Sequence, residues 1–354
     1  MPSKHNFDEL FSEVVKQQAS DLHITVGRHP MLRVEGHILP LPNHPVMTPD
    51  IAQDFIFAMI TEEQQREYLQ EKELDFTYSF RDRARFRVNL FHQRGFMGAA
   101  LRLIPPYIRN FEELNLPQIL KDFTNRQQGF FLCVGPTGHG KSTTLAAMVQ
   151  YINQTRQDHI ITIEDPIEYL FTSDQSIVVQ REIGSDTKSF GRALRSMFRE
   201  DIDIAMIGEM RDAETIATAV TAAETGHLIF STLHTNNAAQ TIDRIIDTFP
   251  PAQQSQIRSQ LALVLIGIVS QRLVPRISGG LIPAIEVLVA TPAIRNLIRE
   301  NKVHELDLVI DTGAEEGMIS LNRSLADLVR RGEIAMEHAL MYATDAKDLE
   351  NLMR

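Results

Sequence analysis

A chain of 354 residues with 43% hydrophobic content is long enough for about two domains, each with a core of its own. Its 46 acidic against 35 basic residues leave a formal charge of −11, which disfavours a nucleic-acid backbone as the bulk partner. The single cysteine, Cys133, excludes an intrachain disulfide and a thiolate zinc cage, and the longest apolar run, Leu261 to Val269, is too short to span a bilayer. With no apolar signal region in Met1 to Leu10, the expectation is a cytoplasmic chain without an integral membrane segment.

From the start to about residue 104 the pattern is mixed. Short alternating runs at Leu22 to Val26, Met31 to Val34 and Arg83 to Phe91 surround a helical stretch from about Asp50 to Tyr68, which predicts a small α+β domain. Within it, alternation from Arg81 to Arg87 puts Arg83, Arg85 and Arg87 on one face of a strand and Ala84, Phe86 and Val88 on the other. A solvated strand face is the ordinary meaning of such arginines; completing a neighbour's phosphate site is the sharper one. Pro105-Pro106 and the polar stretch Thr124 to Gln128 mark a linker over residues 105–126.

The next segment carries the chemistry. Phe130 to Val134 reads as a buried strand, Ser142 to Asn153 as a helix, and between them Gly135-Pro136-Thr137-Gly138-His139-Gly140-Lys141-Ser142-Thr143 contains the pattern G-x-x-x-x-G-K-[ST]. The glycines let backbone N–H groups close around phosphate, Lys141 reaches the β- and γ-phosphates, and Ser142 offers a hydroxyl to Mg²⁺. Strands and helices then alternate: Ile160 to Ile163, a helix from about Ser189 to Arg199, Ile202 to Ile207, a helix capped by Asp212 and ended at Gly226, and Leu228 to Thr232. This predicts a parallel sheet, followed after about residue 245 by a mostly helical part. Two predicted strands end in acids, so Glu209 is the candidate for holding Mg²⁺ and Glu164 for the general base. His227 and His234 bracket another strand. They resemble no common zinc spacing, and the readings open for them are capping and loop roles or, at a strand end, sensing of the γ-phosphate.

Together these blocks resemble the type II/IV secretion ATPase superfamily, and within it the PilT-type retraction ATPases of type IV pili. The resemblance rests on Ala19 to His23 and Arg85 to Asn89, on Gly135 to Thr144 as Walker A, Ile161 to Glu168 as the Asp box, Gly208 to Asp212 as Walker B, and Thr225 to Thr235 as the His box. Ala293 to Glu300, which by its own pattern is an amphipathic helix capped by Thr291 and opened by Pro292, is similar to a segment of the retraction members. The resemblance implies an α/β chain with an N-terminal PAS-like α+β domain over 1–104, the linker, and a RecA-like P-loop ATPase domain over 127–354 with a helical C-terminal part. It further implies ATP and Mg²⁺ as ligands, a homo-hexamer, an inner-membrane pilus platform protein as partner at the cytoplasmic face of the inner membrane, and Arg87, Arg94 and Arg102 as candidates to reach a nucleotide. His139 departs from the family's usual serine, Gln128 from an arginine and Ile202 from a proline. An extension ATPase would carry a four-cysteine zinc insertion that a chain with one cysteine lacks. The other readings are an accessory retraction paralogue, a RecA-like nucleic-acid motor, which the acidic and tryptophan-free composition disfavours, and a nucleotide-gated module without turnover.

Overall fold

The computed structural model describes residues 7–34, 36–81, 84–105 and 107–354, so Asp82, Arg83 and Pro106 of the reading above lie outside the described residues. The chain divides into two compact units, one of Met1–Tyr107 with Glu168–Leu170 and one of Ile108–Ile167 with Phe171–Arg354. The first is built on β1 (Asp21–Ile24), β2 (Met31–Val34), β3 (His37–Pro40), β4 (Glu73–Phe80), β5 (Ala84–Gln93) and β6 (Phe96–Ile104), ordered β3-β2-β1-β6-β5-β4. All its pairings are antiparallel, as expected of a sheet with one wet face.

Alternation decides that sheet's inner face: Phe86, Val88 and Leu90 of β5 are buried while Arg87 is exposed. Helices Asp8–Lys16, Pro49–Phe57 and Glu62–Glu71 contribute to the same core, with the Phe11 ring 5.6 Å from Phe55 and 5.3 Å from Phe86. The single helical stretch expected from Asp50 to Tyr68 is in fact two helices. Thr61 opens the second with a reciprocal capping box to Gln64, and such a cap starts a new helix.

The second unit holds β7 (Gly129–Val134), β8 (His159–Glu164), β9 (Ile177–Glu182), β10 (Ile204–Ile207), β11 (Leu228–Leu233), β12 (Leu265–Pro275) and β13 (Leu281–Val289), ordered β13-β12-β7-β11-β10-β8-β9. All pairings are parallel except β12 with β13. A parallel sheet is covered on both faces, and β7, β10 and β11 are accordingly buried at every position. Cys133, inside β7, is a buried thiol that desolvation pushes up to about 12.

The mostly helical tail expected after residue 245 needs correction, because it contains the β12–β13 hairpin. The run Leu261 to Val269 joins the end of helix Pro251–Val264 to a buried strand, and continuous apolarity carries no period to separate them. Beyond the hairpin the chain is helical as expected, and helices Leu321–Arg330, Met336–Tyr342 and Ala346–Leu352 form a separate core with Val274, Ile282 and Ala284 of the hairpin. Asp212 and Thr291 cap their helices through the N–H groups of Thr215 and Ile294.

Glu286, in β13 opposite Ser270, is 6% exposed and accepts the Ala238 N–H at 2.8 Å. Burial, with help from Asp307 and Asp311 and against the Ala238 N–H and Arg272, pushes its carboxyl up from 4.5 to about 7. The folded state therefore keeps a proton that the unfolded chain loses, and this group's contribution to stability declines as pH rises from 4.5 to about 7. Glu286→Gln keeps the acceptor oxygen without the charge. It is expected to raise stability by roughly 2 kcal/mol at pH 8 and by far less near pH 5, measured by urea unfolding. A variant less stable than its parent at pH 8 would mean that the ionised carboxylate is held favourably.

Candidate active site

The order β7-β11-β10-β8 brings the C-terminal ends of four adjacent parallel strands side by side, the edge at which ligands of such sheets bind. β7 runs into the glycine loop, β11 into His234, β10 into Gly208-Glu209, and β8 ends at Glu164. Gly208 makes the junction close: its N–H donates to Ile163 O at 2.8 Å, and a Cβ there would lie 3.4 Å from Glu164 Cα.

In the loop, Gly135, Gly138 and Gly140 have φ of 145°, 80° and 82°, values that side chains disfavour. Helix Lys141–Thr155 starts directly after Gly140, so its free N–H groups and partial positive charge face the loop, with Ser142 and Thr143 in its first turn. The Lys141 ammonium is 7% exposed and donates to Gly135 O at 2.9 Å, Pro136 O at 3.0 Å and His234 Nδ1 at 3.3 Å. Thr137 Oγ1 is 3.4 Å from the same His234 nitrogen. With Nδ1 accepting from the ammonium, the His234 proton sits on Nε2, 3.3 Å from Glu209 Oε1. Arg211 donates to Glu209 Oε2 at 2.8 Å, and this bond, against partial burial, holds the Glu209 carboxyl below its ordinary range. Lys141, His234, Glu209 and Arg211 thus form one connected chain.

Glu164 is 6% exposed, and the Thr162 hydroxyl donates to its Oε1 at 2.6 Å, with Gln180 Nε2 at 3.4 Å. Thr162 and Glu164 share one face of β8 by the two-residue period of a strand.

His227 is not brought to this edge. It precedes the opposite end of β11, where Nδ1–H donates to Ala222 O at 2.9 Å and the ring meets Phe198 edge-on. Its geometry is that of a cap on helix Ala213–Glu224, because only the C-terminal ends of parallel strands face the loop.

The three candidate arginines belong to the first unit. Arg87 of β5 and Arg102 of β6 are directly opposed and exposed; Arg102 Nε donates to Asp21 Oδ1 at 2.9 Å. Like charges opposed across strands repel, so Asp21 relieves only part of the cost. Arg94 and Gly95, with φ of 53° and 80°, form the two-residue turn of the β5–β6 hairpin.

One contributor has no signal in the sequence. Gln271 of β12 is 2% exposed; its Nε2 donates to His139 O at 2.8 Å and its Oε1 accepts from Thr144 at 2.7 Å. Gln271 bears on the glycines as well, since a Cβ on Gly135 would meet its backbone O at 2.5 Å and one on Gly140 would meet its side-chain Nε2 at 2.8 Å.

A glycine loop at the head of a parallel sheet, a buried lysine within it and acids on two nearby strand ends define a P-loop nucleoside triphosphatase. The family model for type II/IV secretion system proteins matches residues 2–281. The chain is 46% identical over 331 residues to the type IV pilus retraction ATPase PilT of Pseudomonas aeruginosa, covering 94% of this chain and 96% of that one. It is 42% identical over 349 residues to the type IV pilus ATPase PilU of the same organism, covering 98% and 91%. The crystal structure of the pilus retraction motor PilT with bound ADP matches at 46% identity and a TM-score of 0.91, covering 98% of this chain and 100% of that one. The chain belongs to the type II/IV secretion system protein family and, within it, to the PilT-type ATPases; it is a nucleotide-binding P-loop ATPase.

Replacing Gln271 by leucine keeps its bulk and removes both of its loop contacts. The expected result is about tenfold weaker ADP binding by titration calorimetry, with a lowered melting temperature because the buried Thr144 hydroxyl loses its acceptor. Unaltered affinity would show that the loop holds its shape without β12.

Proposed function

We propose that this chain is the Mg-ATP-hydrolysing motor of type IV pilus retraction, and so of twitching motility. It would work as a homo-hexamer at the cytoplasmic face of the inner membrane, against a pilus platform protein. The observation that carries the reading is the similarity to PilT, which covers 94% of this chain and 96% of that ATPase. Among the described residues no helix is long and apolar enough to cross a membrane, and a motor of this kind needs none.

The assigned roles follow from the site. Lys141 and the backbone N–H groups of residues 135–143, except Pro136, which has none, bind the phosphates, and Lys141 stabilises charge on the γ-phosphoryl. Ser142 and Glu209 offer the hard oxygen donors that Mg²⁺ prefers, and the ion they would hold would supply charge neutralisation at the phosphates. Glu164, oriented by Thr162, takes the proton of the attacking water. His234, between Lys141 and Glu209, registers whether the γ-phosphate is present. Arg87 and Arg102 supply charge to a nucleotide held by a neighbouring subunit, where an anion relieves their mutual repulsion; Arg94, on the hairpin turn away from that pair, is the third candidate. Domain closure on ATP, released when the γ-phosphate leaves, supplies the stroke.

A second reading, the accessory retraction ATPase, is favoured by the match to PilU, which extends over 98% of this chain. Complementation separates the two: the motor reading predicts restored twitching in a strain lacking PilT and not in one lacking only PilU, and the reverse pattern selects the accessory role.

For the chemistry, Lys141→Ala is expected to abolish ATP binding. Glu164→Gln is expected to bind ATP normally and to lower steady-state phosphate release by about a hundredfold or more. A Glu164→Gln variant that retains turnover would remove Glu164 as the base. If Arg87→Ala subunits regain activity on mixing with Lys141→Ala subunits, the arginine acts in trans; no recovery at any ratio counts against it.

A further inference from the structure

β12 is longer than the strand it lies beside. Its pairing with β7 ends at Ser270 opposite Val134, where β7 turns into the phosphate loop, yet β12 continues to Pro275. Past Ser270 one side of β12 still pairs with β13, in register through Pro275 opposite Leu281. On the other side backbone groups alternate toward the loop. Gln271 O lies against Gly135, and two residues on the Leu273 N–H points the same way with no strand to receive it.

The His139 side chain receives it. Leu273 N–H donates to His139 Nδ1 at 2.9 Å, while the His139 carbonyl accepts from Gln271 Nε2 at 2.8 Å. One loop residue therefore meets two successive inward positions of β12, through its backbone and through its ring. The second contact needs an acceptor nitrogen, so the ring must be neutral with its proton on Nε2. The surroundings favour that form: partial burial first, then the charges facing the ring, Arg272 of β12 and Lys141 at the helix start, hold the imidazole below its ordinary 6.5.

We infer that His139 is a positioning residue for nucleotide binding, its imidazole clasping the phosphate loop to the overhang of β12 so that the loop is formed before phosphate arrives. The inference rests on the nucleotide-site reading above and adds a role for a side chain whose backbone alone that reading uses. A loop already held in its bound shape loses less conformational freedom on binding. The clasp also joins the loop to the strand whose far end, at Val274, packs in the core of the C-terminal helices.

The test uses the full chain and two variants. His139→Ala removes the acceptor, whereas His139→Asn places an amide oxygen where Nδ1 stands and keeps it at every pH. In nucleotide-free protein, hydrogen exchange at the Leu273 amide is expected to accelerate about fivefold or more in His139→Ala and to stay near the parent rate in His139→Asn. ADP affinity, by titration calorimetry, is expected to fall about fivefold in His139→Ala and to return to within twofold of the parent in His139→Asn, the scale of one neutral hydrogen bond. Equal Leu273 protection in parent and His139→Ala overturns the clasp. Lost protection with unchanged ADP affinity overturns its positioning role, and so does failure of His139→Asn to restore affinity. A parent chain that binds no ADP would fault the nucleotide-site reading, and the Leu273 amide would still decide whether the clasp exists.

Discussion

The strand order of the second sheet is the constraint on which the site depends. β11 lies between the loop strand β7 and the acid strand β10, and β8 follows, so four parallel C-terminal ends form one continuous edge. Parallel pairing puts every chemical group at the same end, and burial on both faces holds the strands in register. The intervening strand sets a gap between loop and acid, and His234 at its tip fills that gap with a ring that touches both sides. Any order that put β10 directly beside β7 would leave His234 without that bridging place.

How much of this was legible depended on whether the signal was local. The phosphate loop was readable because its glycines answer a backbone requirement: three have positive φ, and two lie where a Cβ would strike Gln271. Glu164 and Glu209 were readable as acids closing apolar strands. Gln271 was not, because its contact with Thr144 joins positions separated by 127 residues and nothing in its own neighbourhood marks it. β12 and β13 were missed since an apolar run at a helix–strand junction has no period of its own. The two histidines are the sharpest case: in sequence they flank β11 alike, and only the direction of the strand gives one of them the site and the other a helix end.

The first unit shows a different economy. Its outer face carries a cross-strand row in which Arg33, Asp21, Arg102, Arg87 and Thr77 are successive neighbours on β2, β1, β6, β5 and β4. Asp21 lies between two arginines, 2.9 Å from Arg102 and 3.8 Å from Arg33, and its side chain is largely enclosed. A single carboxylate cannot balance all three cations, so the row keeps excess positive charge on a chain whose total is −11. Stability alone would favour an alternating row. The surplus sits on one strand face, with the side chains' direction fixed by the pleat.

The chemistry of Lys141 links these features. An ammonium has three protons to give, and two loop carbonyls and the His234 ring are among its partners here. Those bonds offset the cost of burying a cation. They also mean that a phosphate drawing the ammonium toward itself must take it from those acceptors. The carbonyls belong to the loop and remain beside the phosphate, but His234 belongs to a different strand and is joined through Nε2 to Glu209. Release of its Nδ1 would free the ring to turn, which would alter the hydrogen bonding of the acid at the end of β10. The lysine of the phosphate loop is thus bonded to the ring whose other nitrogen meets the acid at the end of β10, two strands away.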